Sequence, residues 1–380
     1  MITPSSDARQ AASALAFSAA NGEIRLTSEQ ALQLLEHGDL LALGQAASVM
    51  RRRLVADNDV TFIVDRNVNY TNVCVSGCSF CAFYRDESDP DAYVLTREQL
   101  AEKVAETIAL DGTAILLQGG MHPQLDVDWY EGMLRDIKTD NPGIHVHGFG
   151  PPEIVHIARV SGISVEETLR RLRDAGLDSL PGGGAEILVD RVRGYVSPRK
   201  ATSDEWLDVM REAHKLEIST TATMMFGGLE TVEERVEHFA RVRDVQDEAV
   251  AAGHVGFRAF IPWSFQPGNT ELAEDELAAS GIPMTAASGY EYLRTLAVAR
   301  LFLDSVRNIQ ASWVTQGGKI GQVALAFGAN DMGSTMIEEN VVAAAGTHFM
   351  LAREELVRLI RDAGYTPVQR DTLYREVRRY

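Results

Sequence analysis

The chain has 380 residues, 45% of them hydrophobic and 24% charged, with a formal net charge of −18 at pH 7. That aliphatic content excludes a disordered or collagenous chain, and the acidic balance argues against nonspecific nucleic-acid binding, which needs a concentrated positive surface. No run approaches the roughly 18 apolar residues of a membrane span, and the Ala/Ser-rich start lacks the basic n-region of a secretory signal. A cytoplasmic protein with neither nucleic acid nor membrane as partner is expected.

Residues 1–57 read as an N-terminal helical extension: Thr27 and Gln30 form a capping-box pair before an apolar run, and residues 40–55 continue with helical periodicity. From Val60 the pattern changes to strand-like runs at 60–67, 113–120, 143–150, 177–183, 218–228, 256–263, 308–314 and, weakly, 329–331. Between them the helices announce their starts with Thr96 and Gln99, Ser164 and Glu167, Thr202 and Glu205, and Thr231 and Glu234. Strand followed by helix, eight times, predicts an α/β fold closed as a (β/α)8 TIM-type barrel over 58–335, with an open doubly wound sheet as the alternative. Residues 336–380 then form a C-terminal helical segment, its terminal helix at 354–365.

In such a barrel the active site lies at the C-terminal ends of the strands. Polar and glycine residues are concentrated there: Asn69; Gln118 with Gly119 and Gly120; His147; Gly182, Gly183 and Gly184 with Glu186; and Gln316. The glycine run has no side chains to keep a backbone from pressing against a ligand, although a glycine-rich loop would read the same way. His145 and His147 point to one face of their strand, which suits a structural pair as well as a proton acceptor.

The three cysteines of the chain fall within eight residues, as CVSGCSFC at Cys74, Cys78 and Cys81. Three thiolates cannot close a tetrahedral zinc site without a histidine, for which His122, His145 or His147 would have to fold in. A cubane iron–sulfur cluster normally takes four thiolates, so three leave one iron open to another ligand. Three unrelated buried cysteines are the remaining alternative.

This loop resembles the hallmark of the radical S-adenosylmethionine superfamily, C-x3-C-x2-C with an aromatic residue before the last cysteine, a position filled by Phe80. The resemblance implies a [4Fe-4S] cluster on the three cysteines and S-adenosyl-L-methionine on the open iron. It also implies that Gln118, Gly119 and Gly120 meet the methionine amino group and that Glu230 approaches the adenosine. As the acid that opens a helix, Glu230 could equally favour the macrodipole.

Longer stretches, among them NYTNVCVSGCSFCAFYR, GLDSLPGGGAEILVDRVR, FIPWSFQPGNT and NDMGSTMIEENVV, resemble the family of cyclic dehypoxanthine futalosine synthases, over about residues 28–348. Its sisters are aminofutalosine synthase and the halves of the deazaflavin F0 synthase. The resemblance implies a substrate, dehypoxanthine futalosine, whose ribose C4′ hydrogen is removed by a 5′-deoxyadenosyl radical before ring closure onto its benzoate, in the route to menaquinone. It further implies an electron donor of the flavodoxin or ferredoxin type. Asn69, Gly182, Gly183, Gly184, Arg191 and Gln316 are then candidates for holding substrate, with Arg191, Arg193 or Arg258 for the benzoate, and Glu186, His147 or Asp178 for taking the final proton. A noncatalytic iron–sulfur or zinc module is the reading from a different class.

Overall fold

The computed structural model describes residues 6–55, 57–274, 286–346 and 349–380. Three helices, Ser6–Asn21, Ser28–His37 and Leu40–Leu54, open the chain. Capping boxes form in full at Thr27, Thr96, Thr202 and Thr231, whereas at Ser164 the hydroxyl accepts from Glu167 N. No helix of the described residues is long and apolar enough to cross a membrane.

The run expected as one first strand, 60–67, is two. Strand β1 (Asp59–Ile63) stops before Val64, and β2 (Asp65–Asn69) begins the main sheet. That sheet is parallel throughout, in the order β2, β3 (Ala114–Gln118), β4 (His145–Gly148), β5 (Ser179–Leu180), β6 (Ser219–Phe226), β7 (Phe257–Ser264) and β8 (Asn308–Ile309). The eighth position is β9 (Asp331–Ser334), which bridges to Gln310 beside β8 and pairs in parallel with β1. Because β1 runs straight into β2, the ring of parallel strands closes through this pairing. Residues such as Ile115, Leu117, Val146 and Leu180 are fully buried, as expected of sheet covered on both faces.

The C-terminal segment departs from the all-helical expectation. Beyond the helices Val341–Ala344 and Arg353–Asp362 it carries β10 (Thr366–Arg370), parallel to β1, and β11 (Glu376–Arg379), antiparallel to β10. The partner of β10 lies some three hundred residues away, so nothing local in the sequence announces the pairing. Arg370 fixes it from inside: its Nε lies 2.5 Å from Asp331 Oδ2 and its Nη2 3.0 Å from Oδ1, tying β10 to β9. The turn at 371–375 thereby sits across the N-terminal mouth of the barrel, opposite the cysteine loop.

Candidate active site

The cysteine loop follows β2, and backbone bonds hold it against the neighbouring strand end. Cys74 N donates to Arg85 O at 3.0 Å, Val75 N to Met121 O at 3.0 Å, and Gly120 N to Thr71 O at 2.9 Å. Gly77 turns the loop at φ +50°, in the left-handed region that glycine tolerates. Gly120 permits the contact with β3: a Cβ there would stand 2.1 Å from the Val73 carbonyl oxygen and 3.0 Å from Cys74 Cβ.

Cys74, Cys78 and Cys81 all open onto one cavity of about 420 Å3. Among the described residues, no three His, Cys, Asp or Glu side chains are grouped to hold one metal ion. The Cys3His zinc site therefore has no geometry here. His145 and His147 both bond the Ser179 hydroxyl at 2.7 Å, and His122 Nδ1 accepts from Gln124 N. The three thiols share that cavity.

Lys200, which the sequence did not single out, enters this wall. Its Nζ lies 2.7 Å from Glu186 Oε1 and 5.2 Å from the centre of the Phe80 ring. Burial disfavours the ammonium, but the Cys78 thiol and the Glu186 carboxylate outweigh it and hold Lys200 above the ordinary lysine range. Burial pushes the Cys78 and Cys81 thiols up, and Lys200 opposes that rise at both, which favours the thiolates a metal centre needs.

The glycine turn forms the adjoining wall. Gly182 lies against β6, where a Cβ would come within 2.6 Å of Thr221 O, and Gly184 takes φ +74° beside Pro152. Only a flexible side chain, Gln118, faces the Cβ position of Gly183. The buried Arg193 guanidinium holds the turn by donating to the carbonyls of Gly184, Ala185 and Ala201. At the end of β3, Gly119 N donates to Glu153 Oε1 at 3.1 Å, an oxygen that also accepts from Tyr70 Oη at 2.7 Å. Burial raises the Glu153 carboxyl to about 7 against these donors. Neither Glu153 nor Tyr70 carried a signal beyond ordinary helix and strand positions.

At the far end the cavity reaches Asp65, at the start of β2, and the 371–375 turn. Burial raises the Asp65 carboxyl to about 6, while its bond from the Ser334 hydroxyl lowers it.

Comparison with known proteins agrees with this geometry. The radical SAM superfamily model matches residues 68–242, and that of the CofH/MqnC C-terminal region matches 254–379. The chain is 45% identical to the cyclic dehypoxanthine futalosine synthase of Halalkalibacterium halodurans, across 95% of this chain and 94% of that one. It is likewise 45% identical to the enzyme of that name from Streptomyces coelicolor, across 92% and 85%. The 5-amino-6-(D-ribitylamino)uracil–L-tyrosine 4-hydroxyphenyl transferase of Methanococcoides burtonii is 42% identical, across 93% and 96%. In fold, methylornithine synthase superposes with a TM-score of 0.67 at 18% identity, covering 93% of this chain and 97% of that one.

The chain belongs to the cyclic dehypoxanthine futalosine synthase family of radical SAM enzymes. Its cofactors are accordingly a [4Fe-4S] cluster and S-adenosyl-L-methionine. The residues present fit them: three thiols face one cavity beside a lysine cation, next to a strand end stripped of side chains at Gly119 and Gly120.

Within this radical SAM cavity the structure gathers Asn69, Cys74, Cys78, Phe80, Cys81, Gln118, Gly119 and Gly120 from the first strand ends. From the later ones it adds His147, Gly182, Gly183, Gly184 and Glu186. Other candidates stand outside its lining. Glu230 accepts from Gly227 N, Gly228 N and Arg235 Nε, so its carboxylate is engaged in closing the turn after β6 rather than turned to an adenosine. Arg191 pairs with Glu234 at 2.6 Å and is half exposed, so it does not offer a cation to the benzoate. Gln316 donates to Ser264 Oγ at 2.6 Å. His147 is present but chemically altered: burial, then His145, lower it to about 3, leaving a neutral ring and a weak base.

Proposed function

We propose that this chain converts dehypoxanthine futalosine to cyclic dehypoxanthine futalosine in the futalosine route to menaquinone. It would work in the cytoplasm with a reductant of the flavodoxin or ferredoxin type. The observation that carries this reading is near full-length similarity to two synthases of that name, joined to a cavity walled by all three cysteines. Bound there, the cluster and S-adenosyl-L-methionine supply a 5′-deoxyadenosyl radical able to take the ribose C4′ hydrogen.

The protein's part is position, dryness and proton transfer. Such a radical takes any near hydrogen, so the target must be held close and water kept out. Gln118, Gly183 and Asn69 line the wall beside the cysteine loop and would seat the methionine and ribose groups there. Apolar lining from Ile63, Ile261 and Trp313 suits an aromatic ring. After the new carbon–carbon bond forms, the ring must lose one proton and one electron to regain aromaticity in the spirocycle, the electron passing to the oxidised iron–sulfur cluster and the proton to the protein. Asp65 is the better acceptor for that proton. Asp65 lines the cavity and burial raises its carboxyl to about 6, whereas burial lowers His147 to about 3 and Glu186 is tied to Lys200.

The test is anaerobic. The reconstituted protein is given S-adenosyl-L-methionine, dithionite and dehypoxanthine futalosine deuterated at C4′, and products are read by mass spectrometry. Deuterium in 5′-deoxyadenosine together with a cyclised product lacking one deuterium and one hydrogen of the labelled substrate is expected. Tyrosine-dependent consumption of 5-amino-6-(D-ribitylamino)uracil instead would replace this reading with the transferase's.

A further inference from the structure

The polar groups at the far end of the cavity are not all accounted for by the fold. Buried polar atoms are hydrogen-bonded in all but a few cases, so an orphan calls for an explanation. Thr372 Oγ1 is buried without a partner, and Thr372 lines the cavity. Tyr374 lines it too, and among the described residues its hydroxyl has no hydrogen-bond partner, while its backbone N donates to Asp371 O at 3.1 Å.

The turn that presents them is rigid. Asp371 Oδ1 accepts from Leu373 N and Arg375 N, both at 2.9 Å, and Asp371 N donates to Arg375 O at 3.0 Å. Tyr374 itself is held at φ +63°, a sterically costly conformation for a large side chain. That conformation lays its ring 3.9 Å from the Arg370 guanidinium. Two hydroxyls, that of Thr372 buried and unpartnered and that of Tyr374 on a ring held by the Arg370 guanidinium, thus line the cavity that the three cysteines share.

We infer that the 371–375 turn belongs to the substrate site, with the Thr372 and Tyr374 hydroxyls receiving the carboxylate of the substrate's aromatic end. The inference rests on the proposed reaction, which supplies a benzoate. Hydroxyl donors fit a carboxylate as charge-assisted partners, beside an Arg370 guanidinium whose charge Asp331 already neutralises. The carboxyl facing this anion from β2, Asp65, is bonded by Ser334.

The test separates this inference from the reaction. Sodium benzoate and neutral benzamide are titrated into the reconstituted holoenzyme, following fluorescence of Trp263 and Trp313, which line the cavity. Wild type, Thr372→Val, Tyr374→Phe and the double variant are compared. Wild type is expected to prefer benzoate, and each variant to weaken benzoate by about 3- to 10-fold, the worth of one hydrogen bond, with benzamide affinity and iron content unchanged. No preference for benzoate in wild type, or variants within about twofold of it, would overturn the inference, water then satisfying the two hydroxyls. Selective benzoate binding lost in the variants, without a cyclised product from wild type, would uphold the turn's role and sink the cyclase reading alone.

Discussion

Lys200 Nζ stands 2.7 Å from Glu186 Oε1, and this buried ion pair joins the glycine turn to the cysteine loop through the Phe80 ring. Glu186 is 3% exposed, so it depends on Lys200 for compensation. Lys200→Met leaves a buried carboxylate unpaired, a change that typically costs about 3–5 kcal/mol. The double variant Lys200→Met with Glu186→Gln removes both charges and is expected to recover much of that loss in denaturant unfolding. Equal loss in the single and double variants would show that the pair does not act as a unit.

Gly120 and Gly183 separate a packing requirement from a cavity wall. Gly120→Ala drives a methyl into the Val73 carbonyl and the Cys74 side chain, so iron content and cluster absorbance should fall together. Gly183→Ala meets the movable Gln118 amide, so the cluster should assemble normally while turnover drops, by about tenfold if the substrate side of that wall is displaced. A normal cluster in Gly120→Ala would refute the tight seat assigned to the loop.

The raised carboxyl of Glu153 has a defined effect on stability. Its affinity for a proton is about 7 in the folded chain against an ordinary 4.5, so the folded state keeps a proton that the unfolded state releases between those values. Stability from this group is therefore full below pH 4.5 and falls as pH rises to about 7, by on the order of 3 kcal/mol. Tyr70 and Lys200 face the same carboxyl, and both favour its ionised form, which limits the fall. Glu153→Gln should flatten the difference in unfolding free energy across that window. An unchanged slope would place the titration elsewhere.

Arg191 offers the opposite kind of test. Its guanidinium pairs with Glu234 at the surface and carbonyl-bonds Leu229, away from the cavity lining. Arg191→Ala should leave kcat/KM within about twofold of wild type, as for other exposed ion pairs. A large rise in KM would return it to the benzoate site.

What the sequence alone determined is what repeats locally or is encoded in close spacing. Strand and helix alternate with capping boxes, each visible within four residues, and that pattern implied the barrel. The cysteines lie within eight residues, so one loop had to carry them whatever the fold. The glycine turn and Gln118 were legible because they follow strand ends, where a barrel places its site.

Tertiary structure decided the rest. Lys200, Glu153 and Asp65 reach the cavity from a loop, a helix start and a strand start, and only packing gives each its partner and its altered proton affinity. Burial raises the Asp65 carboxyl and lowers the His147 imidazole, and neither effect has a local sequence signal. Arg191 and Glu230 looked available in the sequence because their partners, Glu234 and the Gly227 and Gly228 amides, are ordinary residues with no motif. The C-terminal strands were invisible for the same physical reason: β10 is held by β1, a partner from the other end of the chain, and by Asp331 of β9.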